Sequence, residues 1–259
     1  MTIFVHRNDK SNPGDYWSRP NHYFPISANR ILDISEIKDL RTSEPIIFGG
    51  GGLLGRVTWD PNVEKLVKEN KVILWGAGQN YYGQKKKGDL VGIHVESKLP
   101  EYIKYFAKVG LRDYDLGYDW VPCASCMHPA LSKAKKIKPN KSVIGVEHTK
   151  IKFKSPLFTS ISHNIQPNNL EEFLCHIAQY REVITNTYHG AYWSLLLGKK
   201  VIVQPWSSKF NNLKWNYAIT DREGPKHKSI FEKFEIIKQN NLDALEEARE
   251  ANNKFYKDL

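Results

Sequence analysis

Residues 182–203 read EVITNTYHGAYWSLLLGKKVIV, and this stretch decides the fold class. Its apolar start at 182–185 predicts a buried strand, and 191–197 predicts a helix that ends at Gly198. Residues 200–203 then predict a second buried strand. A strand, a helix and another strand in so short a stretch are typical of an α/β protein with a parallel sheet.

The same alternation of predicted strands and helices extends over the rest of the chain. Further strands are predicted at 3–6, 46–48, 72–75, 109–111, 143–146 and 158–161, and further helices at 62–70, 101–108, 170–180 and 242–256. Asp60 and Asn169 are the predicted N-caps of two of these helices. The basic stretch 133–141 is the predicted linker, so we expect two Rossmann-like domains with a central cleft, at 1–138 and 139–259. The final helix is expected to pack back on the first domain.

Composition indicates a globular protein with an acidic partner. Hydrophobic residues make up 41% of the 259 residues and charged residues 25%, which excludes a disordered chain. The net charge of +10 favours a phosphorylated small molecule, a membrane surface or nucleic acid. The lysine runs at 85–87 and 133–141 read as solvated faces that would also suit peripheral membrane association. No basic helix with interleaved aromatic residues indicates nucleic-acid binding.

Cysteine usage predicts a reducing compartment and no metal. The cysteines are Cys123, Cys126 and Cys175, and the start of the chain lacks the apolar core of a signal peptide. No apolar run approaches the ~20 residues needed to cross a membrane, so we predict a cytoplasmic protein. Cys123, Cys126 and His128 resemble part of a zinc site, but a structural site needs four ligands and no second pair exists.

Turns in the first half follow predicted strands and are candidates for ligand binding. Ligands of open α/β sheets bind outside the carboxyl ends of the strands, and glycines there let backbone N–H groups approach an anion or a sugar. Asp15 adds a carboxylate to the first turn. The candidate loop residues are Asn12, Gly14, Gly50, Gly51, Gly52, Gly76 and Gly78.

The second group of candidates would bind an anionic donor. Arg112 can grip a carboxylate or phosphate, and Asp113 is either a catalytic group or its ion-pair partner. His189 stands before a predicted helix N-terminus, where it can contact phosphate or act as a general acid. The remaining donor-side candidates are Thr185, Thr187, Gly190, Ser207, Ser208 and Lys209.

In the order of these motifs the chain resembles the polysaccharide pyruvyl transferase family. The matching motifs are Asn12-Pro13-Gly14-Asp15, the glycine loop through Leu53 and Leu54, Gly76 with Gly78, Arg112-Asp113, and Thr185 with His189-Gly190 followed by Gly198 and Lys200. They span residues 4 to 209. Many family members carry Arg-Leu before the signature histidine, whereas this chain has Thr187-Tyr188, which is closer to a Ser-Phe variant.

The resemblance implies a glycosyltransferase-B-like fold, with phosphoenolpyruvate as donor and no required cofactor. The product would be a pyruvate ketal on a sugar of a polysaccharide, glycolipid or other glycan. His189 would be the acid or the phosphate contact, and Asp15 or Asp113 the base on the sugar hydroxyl. Trp17, Tyr81 and Tyr82 would form a stacking platform for the acceptor sugar.

Two other functions also fit the sequence. A glycosyltransferase on the same fold would use a nucleotide sugar and needs a carboxylate for the ribose, for which Asp221 and Glu223 are the nearby candidates. A non-catalytic glycan-binding protein would not need His189 at a helix N-terminus. Loss of turnover with retained sugar binding in His189→Ala would favour an enzyme.

Overall fold

The computed structural model describes residues 2–82, 92, 95, 98–153, 158–163, 169–221 and 243–259. It has a mixed α/β fold with two mostly parallel sheets, which confirms the predicted fold class at this level. The lysine cluster at 85–87 and the candidate Glu223 lie outside the described residues.

The first sheet is formed by the first half of the chain. Its strands β1 to β7 are, in order, Thr2–His6, Ala28–Asp33, Ile46–Gly49, Gly52–Leu54, Val72–Gln79, Lys108–Leu111 and Asp119–Trp120. The strand order is β2-β1-β3-β5-β6-β7, with β4 paired to β5, and the pairs are parallel. Parallel strands end at a common edge, so the loops after β1, β4 and β6 emerge on the same side.

The second sheet has the order β12-β11-β10-β8-β9, again with parallel pairs. Its strands β8 to β12 are Lys141–Glu147, Ser160–Ser162, Tyr180–Thr185, Lys200–Val203 and Ala218–Ile219. The strands β8, β10 and β11 are the apolar runs that the sequence identifies, and their central residues Ile144, Val183 and Val201 are buried in the core.

Six α-helices are assigned among the described residues. In chain order α1 to α6 are Pro13–Tyr16, Asp60–Glu69, Pro129–Ala134, Leu170–Ala178, Tyr188–Leu196 and Ala244–Lys257. No helix in the described part of the chain is long and apolar enough to cross a membrane. The predicted linker at 133–141 is shorter than expected, because α3 ends at Ala134 and β8 begins at Lys141.

Several helix boundaries differ from those that the sequence predicts. The segment expected to be an α-helix at 101–108 is a 3-10 helix, Glu101–Tyr105, because the N–H of Ala107 already donates to Val72 and begins the pairing of β6. Asp60 is the first residue of α2 rather than its N-cap, which is Trp59. Asn169 is the N-cap of α4, but its side chain makes no capping hydrogen bond.

Helix α6 packs against the cores of both sheets. Leu245 and Ala248 lie in the core that surrounds the second sheet, whereas Phe255 packs edge-on to Trp75 of β5, with ring centroids 5.3 Å apart. Between them, the buried Asn252 accepts a hydrogen bond from the Trp75 indole and donates one to the carbonyl of Pro122. The division of the chain into domains at 138/139 stays a prediction.

Candidate functional site

A cavity of about 400 Å³ lies where the loops that follow strands of both sheets meet. The first half of the chain contributes Arg7, Asp9, Ser11, Asn12, Asp15, Gly52, Arg56, Trp59, Asn80 and Arg112 to its lining. The second half contributes His148, Thr149, Lys150, His163, Thr187, Tyr188, His189, Trp206 and Lys209. Most of these side chains are polar and several are cationic, so the cavity suits an anionic ligand.

Seven of the predicted site residues line this cavity: Asn12, Asp15, Gly52, Arg112, Thr187, His189 and Lys209. They come from the ends of β1, β3, β6, β10 and β11, which are far apart in sequence. The rule that ligands bind at the carboxyl ends of parallel strands therefore identifies a real cluster in this fold.

Asp15 is the predicted carboxylate that reaches the cavity. It lies in the first turn of α1, where Asn12 caps the helix by accepting from the N–H of Gly14 and donates from Nδ2 to Asp15 Oδ2 over 2.7 Å. Burial, reinforced by Asp9, raises the pKa of Asp15 to about 6, although Lys209, Arg112 and Arg7 oppose the shift. Asp15 can therefore exchange a proton near neutral pH.

His189 lies at the start of α5 and is 4% exposed. Its Nε2 lies 3.4 Å from the sulfur of Cys123, while its Nδ1 faces Gly14. A Cβ atom on Gly14 would overlap the imidazole, so the glycine is required for the close approach of α1 and α5. Burial, with help from His163, Arg112 and Lys209, holds the pKa of His189 well below its usual value, so the ring is neutral at pH 7.

Arg112 is 3% exposed and tightly held. Its Nη2 donates to the carbonyl of Gln79 over 2.9 Å, its Nε donates to Asp113, and its guanidinium lies 3.9 Å from the ring centroid of Tyr188. A Cβ atom on Gly78 would overlap the Arg112 side chain, so Gly78 makes room for it. Three of the five N–H groups of Arg112 remain for other acceptors.

Asp113 does not line the cavity, contrary to the expectation of a catalytic role. It is 5% exposed; Oδ2 accepts from the N–H of Gln79 over 2.6 Å, and Oδ1 accepts from Arg112 over 3.3 Å. Burial raises the pKa of Asp113, while Arg112 and the Gln79 N–H lower it in part. Its contacts make Asp113 a positioning residue for Arg112 and for the end of β5.

Thr185 and Gly190 lie behind the cavity rather than in its wall. The Thr185 hydroxyl donates to the carbonyl of Val146 over 2.7 Å and accepts from the N–H of Thr187. The N–H of Gly190 donates to Thr187 Oγ1, so α5 begins at Tyr188 and not at residue 191. The helix then offers only the N–H groups of Tyr188 and His189 to a ligand, since helix geometry gives the first amides no internal partner.

Only Lys209 of the predicted Ser207-Ser208-Lys209 group lines the cavity. Its ammonium nitrogen lies 3.7 Å from the ring centroid of Trp206. Ser208 instead joins the two halves of the chain, because its N–H donates to the carbonyl of Tyr81 and its hydroxyl accepts from the N–H of Tyr81. The hydroxyl of Ser207 is buried and has no hydrogen-bond partner among the described residues.

The predicted glycine loops shape the first-sheet side of the cavity. Gly50 and Gly51 have φ values of 82° and 78°, which favour glycine, and a Cβ atom on Gly51 would lie 3.1 Å from the Asp15 carboxylate. Gly52 lines the cavity beside Asn80. Gly76 lies outside it and faces the carbonyl of Pro122, so the structure gives it a packing role.

Several lining residues were not among the predicted site residues, and two groups of them are important for the cavity. Arg56, Trp59 and Asn80 follow β4 and β5; Arg56 stacks on Trp59 and donates to the Tyr82 hydroxyl. His148 and His163 follow β8 and β9. The same strand-end rule would have found His163, because the sequence predicts a strand at 158–161.

His163 lies parallel to His189, with ring centroids 6.1 Å apart and planes inclined by 10°. It is buried, and its Nε2 has no hydrogen-bond partner among the described residues. Burial lowers the pKa of His163 to about 3, with smaller effects from Lys209 and His148. This side of the cavity therefore carries two neutral imidazoles beside the fixed positive charges of Arg112 and Lys209.

The predicted aromatic platform is placed differently. Trp17 packs against His22 and His128, and Tyr81 and Tyr82 line a separate, smaller recess of about 80 Å³ beside Arg56. Trp59, Tyr188 and Trp206 are the aromatic side chains that line the main cavity. No group of three or more His, Cys, Asp or Glu side chains suited to a metal ion occurs among the described residues.

Comparisons with known proteins leave the family undefined. No protein-family model matches the sequence, and no curated protein matches it. Among solved structures, the fold is similar to that of a functionally uncharacterized protein from Klebsiella pneumoniae subsp. pneumoniae NTUH-K2044, with 19% sequence identity and a TM-score of 0.44. The similarity covers 78% of this chain and 82% of that chain.

Proposed function

We propose that the protein is a transferase that moves the pyruvyl group of phosphoenolpyruvate to a sugar of a polysaccharide or other glycan, forming a pyruvate ketal. The observation that carries the proposal is the grouping of Arg112, Lys209 and His189 around the carboxyl group of Asp15 in one cavity. In the same proposal, the two sheets are the Rossmann-like halves of a glycosyltransferase-B-like enzyme, and the cavity is its central cleft.

The cationic side of the cavity would hold the donor. Phosphoenolpyruvate carries a carboxylate and a phosphate on three carbons, so it needs two anion contacts close together. Arg112 presents a rigid guanidinium to one of them, and Lys209 with the N–H groups at the start of α5 faces the other. His189 is neutral, and a Cys123 thiol that donates to Nε2 would leave its proton on Nδ1, on the side of Gly14. In this proposal the phosphate would accept that N–H beside the turn of α1.

Asp15 is better suited than His189 to donate the proton. The pKa of Asp15 is raised to about 6, whereas that of His189 lies well below its usual value. A bound polyanion would raise the pKa of Asp15 further, because like charge disfavours the carboxylate. We therefore assign general acid–base work to Asp15 and phosphate contact to His189.

The reaction then balances with this chain's own groups. Protonated Asp15 gives its proton to the methylene carbon of phosphoenolpyruvate, which leaves a cationic carbon next to the carboxylate. One sugar hydroxyl attacks that carbon, and its proton returns to Asp15. The second hydroxyl displaces phosphate and closes the ketal ring, and its proton leaves with hydrogen phosphate. His189 and Lys209 would stabilise the leaving phosphate.

The acceptor would enter from the first-sheet side, where Trp59 and Asn80 line the cavity. An aromatic ring suits the apolar face of a sugar, and an amide suits its hydroxyls. A glycolipid acceptor would require peripheral membrane association, which the net charge of +10 favours.

Proton nuclear magnetic resonance tests the proposed activity directly. The purified protein is incubated with phosphoenolpyruvate and a panel of glycans in D₂O, with His189→Ala as the matched variant. We expect the vinyl signals to be replaced by a ketal methyl signal that contains one deuterium, with release of one phosphate per ketal. Phosphate release without a ketal signal, or transfer from a nucleotide sugar instead, would contradict the proposal.

A nucleotide-sugar glycosyltransferase is the rival enzyme. It would require a carboxylate on the second-sheet side for the ribose hydroxyls. Within the described residues, the carboxylates that line the cavity are Asp9 and Asp15, both from the first-sheet side, and Asp221 is not among the lining residues. A non-catalytic glycan-binding protein would not need a carboxyl group with a pKa of about 6 beside two fixed cations.

A further inference from the structure

We propose that Arg56 forms a second anion site in the cavity and selects an acceptor sugar that carries a carboxylate or a phosphate group. The inference rests on the proposed function, since it names the chemical class of that acceptor. It concerns the wall formed by Arg56, Trp59 and Asn80, at the opposite side of β5 from Arg112.

Arg56 is held in place by neutral groups. The loop after β4 is fixed because the carbonyl of Arg56 accepts from the N–H groups of Trp59 and Asp60 over 2.8 and 2.9 Å. The guanidinium lies 3.9 Å from the ring centroid of Trp59, and Nη2 donates to the Tyr82 hydroxyl over 3.0 Å. A guanidinium stacked in this way loses little conformational freedom when it binds an anion.

The guanidinium of Arg56 makes no direct ion pair with a carboxylate of the described residues. Among the described residues no carboxylate oxygen lies within 4.0 Å of its nitrogens, and its Nε is buried without a hydrogen-bond partner. Asp60 is the nearest acidic group: its carboxylate accepts from the Tyr102 hydroxyl and from the backbone N–H of Arg56, and its charge acts on the guanidinium only from beyond ion-pair distance. By contrast, Arg7 in the same cavity is paired with Asp33 over 2.9 Å. A buried donor without an acceptor is costly, and an oxygen anion would satisfy it.

Asn80 supplies a second unsatisfied group beside Arg56. Its Oδ1 is buried without a hydrogen-bond partner, and its side chain lines the cavity next to Gly52. An amide oxygen accepts hydrogen bonds, so a donor such as a sugar hydroxyl would satisfy Asn80 Oδ1. The wall therefore combines one unmet donor, one unmet acceptor and the Trp59 ring, which together match a sugar with an anionic substituent.

The spacing leaves room for both anions. Gly52 of β4 pairs with Gly78 of β5, and β6 pairs with β5 on its other side. Adjacent strands lie ~4.8 Å apart, so the backbones that carry Arg56 and Arg112 are separated by about 10 Å. A hexose ring fits between a donor at Arg112 and its own acidic group at Arg56.

Isothermal titration calorimetry of the full chain tests the site with glucose 1-phosphate, glucuronic acid and glucose as probes. Each is titrated in the presence of saturating phosphoenolpyruvate, and again into Arg112→Gln without it, so that binding at the donor site is blocked in two ways. Arg56→Gln is the test variant, and Arg41→Gln, an exposed arginine paired with Glu69, is the matched control.

We expect one or both anionic sugars to bind at least about tenfold more tightly than glucose, the usual scale of a charge-assisted contact. The tighter probe identifies the anion as phosphate or carboxylate. Arg56→Gln should abolish this preference and Arg41→Gln should retain it. If Arg56→Gln does not fold, Arg56→Met gives the same comparison, because it also removes the charge.

Equal affinity for glucose and both anionic sugars, or a preference that survives in the Arg56 variants, would overturn the inference. Failure of the proposed function would look different. If phosphoenolpyruvate produced no heat while Arg112→Gln still preferred the anionic sugar through Arg56, the acidic-sugar site would stand and the pyruvyl donor would not.

Discussion

The turn at α1 and the end of β6 each bring an aspartate close to the same cavity, but the two carboxylates have different surroundings. Asp113 is held by the N–H of Gln79 and by Arg112 behind the cavity wall. Asp15 has the Asn12 amide as its side-chain partner and reaches the cavity. A glycine makes room for a functional side chain near each aspartate: Gly14 of α1 faces His189, and Gly78 of β5 faces Arg112.

A position at a strand end therefore does not by itself distinguish a catalytic carboxylate from one that supports a neighbouring side chain. Asp113 is buried and Asp15 is half-buried, and both have raised pKa values. What separates them is the set of hydrogen bonds: those of Asp113 fix Arg112, whereas Asp15 retains acceptor capacity at the cavity. Three predictions test this difference, and a fourth tests the contact that supports His189.

The largest effect is expected for Asp15→Asn. General acid–base catalysis contributes about 10²–10⁴-fold, so phosphate release from phosphoenolpyruvate with an acceptor should fall by about 10³-fold. Asp39→Asn, an exposed carboxylate, is the control and should leave the rate unchanged. Undiminished turnover in Asp15→Asn would remove Asp15 from the chemistry.

The same variant should be more stable than the wild type at pH 7. The pKa of Asp15 is raised from 3.8 to about 6 in the folded protein, so the folded state holds its proton more tightly than the unfolded state. As the pH rises from about 4 through 6, the wild type therefore loses stability relative to Asp15→Asn, measured as the free energy of unfolding. The full difference is at most ~3 kcal/mol, and urea titrations at pH 4 and pH 7 measure it.

Asp113→Ala should destabilise the protein by a similar amount. It would leave the buried Arg112 without its ion-pair partner and the Gln79 N–H without its acceptor. Breaking one side of a buried pair typically costs ~3–5 kcal/mol. Arg112→Gln combined with Asp113→Ala should cost less than the sum of the two, and strict additivity in urea unfolding would show that the pair is not coupled.

The smallest effect is expected for Cys123, which touches His189 but not the cavity. Cys123→Ser keeps a donor toward His189 Nε2, whereas Cys123→Ala removes it. We expect phosphoenolpyruvate binding to weaken by about three- to tenfold in the alanine variant, the scale of one neutral hydrogen bond, and less in the serine variant. Calorimetry compares them, and equal affinity in both would leave Cys123 with a packing role.

Much of the second sheet could be predicted because its strands are continuous apolar runs. β11 has the predicted bounds, and Gly198 does follow α5 with a φ of 69°. The edge strand β2 gave no such signal, since four of its six residues are exposed and its polar residues Asn29, Arg30 and Asp33 interrupt the apolar pattern. The strand β4 has three residues and begins inside the glycine run, so periodicity could not separate it from a turn.

The site was predictable where a strand end was predictable. Asp15, Arg112, Thr187 and Lys209 all follow strands with clear apolar patterns. Arg56 follows β4, which sequence patterns could not reveal. The hydrogen bonds that remove Thr185 and Asp113 from the cavity depend on Val146 and Gln79, which are distant in sequence, so composition around each residue could not reveal them.

Direct titration of phosphoenolpyruvate into the full chain and into Arg112→Gln, with Arg41→Gln as control, tests the central claim that this cavity binds a compact polyanion. Arg112 is 3% exposed, and Gln79, Asp113 and Tyr188 hold its guanidinium in place. It should therefore make a strong, charge-assisted contact with the donor. We predict measurable binding by the wild type and by Arg41→Gln, and a loss of about 100-fold in Arg112→Gln, which corresponds to ~3 kcal/mol. Binding that is equally strong in Arg112→Gln, or wild-type heat with a nucleotide sugar and none with phosphoenolpyruvate, would contradict the account.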